Sequence, residues 1–175
     1  MAFSDSRAVD ADGAALLPDY QAYYAESGAP LLAADGVFEA AEVLAQCLGS
    51  RNLILNASAV LFRRTALLAA LDRCAEALAG FTMAGDWRLY AELLAGGGQV
   101  AYVARPLNVH RRHGTSVTHR LAADRHLEEV ARMQAHMRGL LRRRRGLAGE
   151  QRRALAAARA HLAGEAGDRG APIVA

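Results

Sequence analysis

The sequence predicts an α/β fold followed by a helical C-terminal extension. Short extended segments and amphipathic helical segments both occur along the 175 residues, and 53% of all residues are hydrophobic, enough for one packed core. The end of the chain differs, with an arginine run at 142–145 and alanine-rich sequence after it. We therefore expect one domain over residues 1–141 and an arginine-rich helical tail, partly disordered, over 142–175.

Composition and charge argue against several classes of function. The chain has 21 basic residues, every one of them arginine, and a formal net charge of +3. Because alanine is also abundant, this pattern indicates a compositional bias and not a surface for nucleic acid, so no nucleic-acid partner is expected. No apolar run is long enough to cross a bilayer and the sequence does not open like a signal peptide, which predicts a cytoplasmic protein.

The first 24 residues predict a strand, a hairpin and a loop. Met1-Ala2-Phe3 has the pattern of an apolar strand end, and Ser4-Asp5-Ser6 follows where that strand would stop. The Asp12-Gly13 pair is a turn signal between two extended pieces, typical of a hairpin. Residues 18–24 predict a loop whose tyrosines pack against the core.

Residues 35–80 predict helix, strand and helix. The first helix extends over 35–49 and the extended segment over 51–62, with alternation at its end. Cys47 and Cys74 lie in the helices without metal-ligand spacing, so we expect buried free thiols. Thr65 is the predicted cap of the second helix, whose predicted buried stripe consists of Leu68, Leu71, Ala75 and Leu78.

The segment 83–98 is the most informative part of the sequence. Asp86 is a good N-cap residue, and Trp87, Tyr90 and Leu94 recur at helical spacing until Gly96 begins a run of three glycines. A carboxylate is therefore predicted at the start of an amphipathic helix. Helix capping alone would explain such an aspartate, and a chemical role is the alternative.

A basic and histidine-rich segment follows a short strand predicted at 99–103, which Pro106 is expected to stop. Residues 110–119 contain three histidines, which would suit a metal site, and arginines that would neutralise a diphosphate. A solvated loop is the alternative. An amphipathic helix is predicted over 121–141, with one face formed by Leu127, Val130, Gln134, Met137 and Leu141.

Four of these segments, taken in order, resemble the second half of a family 2 glycosyltransferase with the GT-A fold. They are Ser4-Asp5-Ser6, Arg51 to Asn56, Gly85-Asp86-Trp87 and His110 to His119. The resemblance covers about residues 3–130. It implies a partial GT-A fold whose nucleotide-binding half would precede Ser4, so the chain is expected to be a fragment. Only Asp5 is acidic in the first motif, which departs from a full Asp-x-Asp.

The resemblance implies an activity and roles for individual residues. A sugar would pass from a nucleotide-sugar donor to an acceptor hydroxyl, with inversion, in polysaccharide or glycolipid synthesis. Asp86 would be the general base, and Asp5 with His113 would hold Mn2+ or Mg2+. His110 and His119 are the second and third choices for that histidine. Arg111 and Arg112 would contact the donor diphosphate, and Trp87 and Asn56 the acceptor.

Other partners and functions stay open beside the enzyme. The run Arg142-Arg145 would reach anionic lipid at the inner membrane face if the acceptor is lipid-linked, although a solvated face also explains it. A second chain supplying the nucleotide-binding half would make this chain a non-catalytic partner subunit. The last alternative is an arginine-rich module that binds anionic surfaces.

Overall fold

The computed structural model describes residues 1–112 and 123–142 of the chain. These residues form a mixed α/β fold, which confirms the predicted class. The strands are β1 (Ala2–Val9), β2 (Ala15–Leu17), β3 (Gly36–Glu39), β4 (Val60–Leu61) and β5 (Gln99–Arg111). The helices are α1 (Gln21–Glu26), α2 (Ala40–Gln46), α3 (Arg64–Leu78), α4 (Gly85–Ala95) and α5 (Ala123–Arg142).

The sheet is built around the parallel pair β1 and β5, and its order is β2-β1-β5-β3. Ala2 lies opposite Ala101, and Val9 lies opposite Arg111. Strands β2 and β4 both pair antiparallel with β1, at its opposite ends, while β3 pairs antiparallel with β5. The strand directions in the sheet are therefore mixed, and β1 pairs with three of the four other described strands.

The two central strands are longer than the sequence predicts. The expected strand end before Ser4 is wrong, since β1 continues to Val9 and Asp5 lies in its middle. The expected stop at Pro106 is also wrong, because β5 continues to Arg111. Pro106 is opposite Asp5, where the β1 and β5 register shifts twice. A proline lacks the amide hydrogen that a regular ladder uses, and an irregular position tolerates it.

Several other local predictions are corrected. Residues 36–39 form strand β3, so the helix begins only at Ala40. Most of 51–62 is irregular, since only Val60–Leu61 is a strand. The tyrosine-rich loop contains helix α1. In α3 the N-cap is Arg63 instead of Thr65, and the fully buried residues are Ala70 and Cys74, while Leu68 is 48% exposed.

Several predictions are confirmed. The hairpin between β1 and β2 turns at Gly13, whose φ of +91° suits a residue without a Cβ. Tyr20 and Tyr24 are buried, and Cys47 and Cys74 are buried free thiols. Helix α5 forms as expected, and its buried face contains Met133, Gln134, Met137 and Leu141, whereas Leu127 is 51% exposed.

Helix α4 lies at the centre of the helical layer, where it contacts α2, α3 and α5. Its buried side chains are Trp87, Tyr90, Ala91, Leu93 and Leu94. Fully burying one large apolar side chain stabilises a fold by about 1.5 to 3 kcal/mol, so this face alone fixes the helix firmly. The start of α4 is thereby held at a constant position. Within the described ranges no helix combines the length and apolarity needed to span a bilayer.

Candidate functional site

Asp86 lies in the first turn of α4, where it is the second residue of the helix. Its expected N-cap role is wrong, because the N-cap is Ala84, whose side chain makes no capping bond. Asp86 Oδ1 accepts a hydrogen bond from its neighbour, the Trp87 amide, at 2.6 Å, and Oδ2 accepts one from Asn52 Nδ2 at 3.2 Å. The carboxylate is therefore oriented by two donors from different segments.

Burial raises the pKa of Asp86 from 3.8 to about 6. Hydrogen bonds from the Trp87 amide, its own amide and the Asn52 side chain act in the opposite direction, and burial outweighs them. An ionised carboxylate with a pKa just below neutrality is an effective proton acceptor at physiological pH. This combination of orientation and raised basicity is the strongest chemical signal in the described residues.

Two aromatic residues of α4 accompany Asp86. Trp87 is 3% exposed, and its Nε1 donates to the Leu48 carbonyl at 2.9 Å, so the ring is a core element with little surface for the expected acceptor contact. Tyr90, one turn further along α4, stacks on Phe62. Burial and the charge of Asp86 raise the Tyr90 pKa, and its buried hydroxyl has no partner among residues 1–112 and 123–142.

The two asparagines of the 51–59 segment both organise their own backbone. Asn52 Oδ1 accepts from the Ile54 amide at 3.0 Å, which leaves its Nδ2 for Asp86. Asn56 Oδ1 accepts from the Ser58 amide at 3.1 Å and begins a short 3-10 turn. Asn52 is thus the asparagine at the Asp86 site, and Asn56 stabilises a turn beyond it.

A second carboxylate, Glu129 of α5, binds the segment that precedes Asp86. Its two oxygens accept hydrogen bonds from the amides of Thr82, Met83 and Ala84, at 2.8 to 3.0 Å. Sequence reasoning missed Glu129. It lies four residues before Met133 and eight before Met137, so membership of the buried face was the available signal.

Asp5 is completely buried in β1, and its carboxylate is occupied by the start of α1. Oδ1 accepts from the Ser6 amide at 2.7 Å, and Oδ2 accepts from the Tyr20 amide at 3.2 Å and from Gln21 Nε2 at 2.9 Å. Both oxygens already accept hydrogen bonds from within the fold. The arrangement joins β1 to α1 and does not fit a carboxylate that faces a donor diphosphate.

The metal prediction gains no support from this arrangement. Across the described ranges there is no group of three or more His, Cys, Asp or Glu side chains that could hold a metal ion. His113, the predicted second ligand, lies outside these ranges, as does His119. The Mn2+ or Mg2+ site therefore stays a prediction, and no chemical step below depends on it.

The end of β5 carries the predicted diphosphate residues. His110 Nδ1 is 2.9 Å from Tyr20 Oη, and burial, aided by the charge of Arg112, lowers the His110 pKa. Arg111 Nη1 donates to the Ala11 carbonyl at 2.6 Å, so this side chain holds the hairpin turn. The Arg112 amide donates to the Val9 carbonyl at 2.7 Å.

The predicted site residues thus fall into two groups. Tyr20 links Asp5 to His110, since its amide binds the carboxylate and its hydroxyl contacts the imidazole. Asp86 belongs with Asn52, and within the described part of the chain no hydrogen bond or ion pair connects the two groups. No family model, curated protein or solved structure matches this chain. The function is therefore inferred from the geometry of these side chains.

Proposed function

We propose that this chain carries the acceptor side of a nucleotide-sugar-dependent glycosyltransferase of the GT-A type, with Asp86 as the general base. The observation that carries the proposal is the state of Asp86. It is a carboxylate at a helix start, oriented by Asn52 and the Trp87 amide, and its pKa is raised to about 6. The sequence resemblance implies the catalytic base of an inverting glycosyltransferase at the same residue.

The proposed chemistry is a single displacement at the anomeric carbon. Asp86 accepts the proton of the acceptor hydroxyl while that oxygen attacks, and the bond to the nucleoside diphosphate breaks on the opposite face. Each carboxylate oxygen has two lone pairs, and the contacts with Trp87 and Asn52 use one on each oxygen. Asp86 therefore keeps acceptor capacity for a substrate hydroxyl.

The basic end of β5 is the proposed contact for the donor diphosphate. Arg111 is exposed and is anchored by the hairpin carbonyls, and Arg112 follows it at the end of the parallel pair. A guanidinium presents several N–H donors in a plane, which suits phosphate oxygens. Of the run Arg142-Arg145 the structure describes only Arg142, exposed at the end of α5, and contact with a lipid surface remains a prediction.

The test is nucleotide-sugar turnover by the chain, combined with the segment or subunit that supplies the nucleotide-binding half, and by its Asp86→Asn variant in the same combination. UDP-, GDP- and dTDP-sugars are supplied with a membrane-lipid and glycan acceptor extract, and release of nucleoside diphosphate is measured. The variant keeps the shape of the side chain and loses the base, so we expect turnover to fall about 10²- to 10⁴-fold. Asp72→Asn, a matched change on the exposed side of α3, should have no effect.

Two results would count against the proposal. One is release of nucleoside diphosphate that Asp86→Asn leaves intact. The other is failure of every donor class to turn over when a correctly folded chain is combined with that nucleotide-binding half.

The partner-subunit alternative is favoured by one observation. Several large apolar side chains of the sheet strands are exposed and would be covered by a docked subunit. They are Leu61 at 75%, Val37 at 65%, Leu107 at 63% and Val109 at 45%. A chain that docks on another subunit should be oligomeric or aggregated alone and become monodisperse with that subunit, which size-exclusion chromatography with light scattering measures.

A further inference from the structure

We propose that Glu129 is a positioning residue for Asp86, acting as the anchor through which helix α5 holds the start of α4. The role in catalysis rests on the proposed function, whereas the anchoring itself does not. Glu129 belongs to neither predicted group of site residues, and its hydrogen bonds go to the backbone of Thr82, Met83 and Ala84. It acts on the backbone that delivers Asp86.

The contact of Glu129 fixes the backbone that leads into helix α4. Helix α4 has alanine at its N-cap, which provides no capping side chain, and within the helix Asp86 accepts from the Trp87 amide. The Glu129 carboxylate, 3% exposed, accepts from three consecutive amides, those of Thr82, Met83 and Ala84. Asp86 is two residues beyond Ala84, so the anchor lies less than one helical turn from the proposed base.

Glu129 is kept ionised in this position. Burial by itself raises its pKa, but the three amide donors, together with the charge of Arg125, lower it below the ordinary value. A negative charge at the N-terminus of α4 is also favoured by the helix dipole. The anchor is therefore a charged group, and a neutral side chain of the same shape does not reproduce it.

The same helix also holds the segment that carries the partner of Asp86. Gln134 Nε2 donates to the Ser50 carbonyl at 3.0 Å, two residues before Asn52. Arg132 donates to the Gly80 carbonyl at 2.8 Å and lies over the Phe81 ring, with 4.4 Å between the guanidinium carbon and the ring centroid. Helix α5 thus forms hydrogen bonds with both of the segments that the Asp86 to Asn52 hydrogen bond joins.

Weakening of these α5 hydrogen bonds has a predictable effect on the Asp86 pKa. Its raised basicity comes from exclusion of water, so a looser start of α4 admits water and lowers the pKa towards 3.8. The neighbouring groups do not oppose this change, because Asn52 is neutral and Tyr90 is the titratable group that senses the Asp86 charge. Weaker orientation lowers the transfer rate at the same time.

The experiment compares Glu129→Gln with Glu128→Gln in the full chain. Both variants remove one negative charge from α5, but Glu128 is exposed. The probe is the titration of the Asp86 carboxyl carbon by ¹³C NMR. We expect Glu129→Gln to lower the Asp86 pKa by about one unit and Glu128→Gln to leave it unchanged. The acid limb of the transfer rate against pH should move by the same amount.

The inference is overturned if folded Glu129→Gln has the Asp86 pKa of the parent chain, whatever its stability. Should that variant fail to fold, Gln134→Ala removes the α5 contact with the segment that carries Asn52. A smaller fall in the Asp86 pKa is then expected. An unchanged Asp86 pKa there overturns the inference as well. A shifted pKa in a chain without transferase activity would instead reject the proposed function and keep the anchor.

Discussion

Two carboxylates meet at the start of helix α4, and the fold treats them in opposite ways. Glu129 accepts hydrogen bonds from three amides and has a lowered pKa, whereas Asp86 accepts fewer external donors and has a raised one. Burial raises the pKa of both carboxyls; at Glu129 the three amide donors and the charge of Arg125 outweigh it, whereas at Asp86 the hydrogen bonds do not. A carboxylate with enough donors becomes an anchor, and one left short of them is available for proton transfer.

The largest effect is expected where the anchor is deleted. Glu129→Ala leaves the amides of Thr82, Met83 and Ala84 without their acceptor, and that of Ala84 is buried. We expect a loss of about 2 to 4 kcal/mol in the free energy of unfolding at pH 7, measured by urea denaturation. Glu128→Ala should change it by no more than about 0.5 kcal/mol. A loss below about 1 kcal/mol would show that water or the backbone replaces the carboxylate.

Asp86→Asn should raise the free energy of unfolding, whereas Glu129→Ala lowers it. The folded state raises the pKa of Asp86 above its unfolded value of 3.8. The chain therefore loses stability as pH rises from 3.8 through about 6, and at higher pH the loss stays constant. The full shift converts to about 3 kcal/mol, and partial exposure reduces this to about 1 to 2 kcal/mol. The variant should therefore unfold at higher urea than the parent at pH 8, with the difference vanishing below pH 4.

A control for that interpretation is the activity assay on the same protein. A variant that is more stable at pH 8 and inactive would be the signature of a site strained for function. Equal or lower stability at pH 8 would mean that solvent reaches the Asp86 carboxylate and that its basicity is ordinary.

Asn52→Ala tests the comparison by removing one hydrogen-bond donor from Asp86. The side-chain hydrogen bond from Asn52 lowers the Asp86 pKa, so its removal should raise that pKa further, by about half a unit. NMR titration of the carboxyl carbon measures the shift. Asn56→Ala, which removes an asparagine that holds only a turn, is the matched control and should leave the titration unchanged. A fall in the pKa would contradict the donor argument.

The smallest effect is expected at Tyr90. Its buried hydroxyl has no partner within the described ranges, and phenylalanine keeps the ring stacked on Phe62. Tyr90→Phe should leave the free energy of unfolding unchanged or raise it by about 0.5 kcal/mol, measured by thermal and urea unfolding. A loss above about 1 kcal/mol would reveal a bridging water or another partner for the hydroxyl.

Local patterns in the sequence predicted the Asp86 region well. Helix α4 was recovered from the spacing of Trp87, Tyr90 and Leu94, and its end from the glycines after Ala95, because these signals lie within a few turns of one another. The placement of Asp86 was wrong by two positions, since the N-cap is Ala84. Its raised pKa could not be predicted, since the burial comes from segments far away in sequence.

The missed features all depend on distant partners. Strand β1 looked too short because Ser4, Asp5 and Ser6 interrupt its apolar pattern, and its pairing with β5 lies beyond any local window. Glu129 resembled its exposed neighbour Glu128, since its three partners are 45 to 47 residues earlier in the chain. The buried face of α3 was misjudged because leucine and alanine occur on all its sides, so periodicity does not select one face.

The pairing of β1 with β5 also has a consequence in time. Partners such as Ala2 and Ala101 are about a hundred residues apart, and contacts of this separation form slowly. At translation rates of about 5 to 20 residues per second, β1 waits on the order of ten seconds for its main neighbour. A bare strand edge invites aggregation during such a delay. The charges of Asp5 and Arg7, which disguise β1 in the sequence, are the kind of residue that protects a nascent strand until its neighbour arrives.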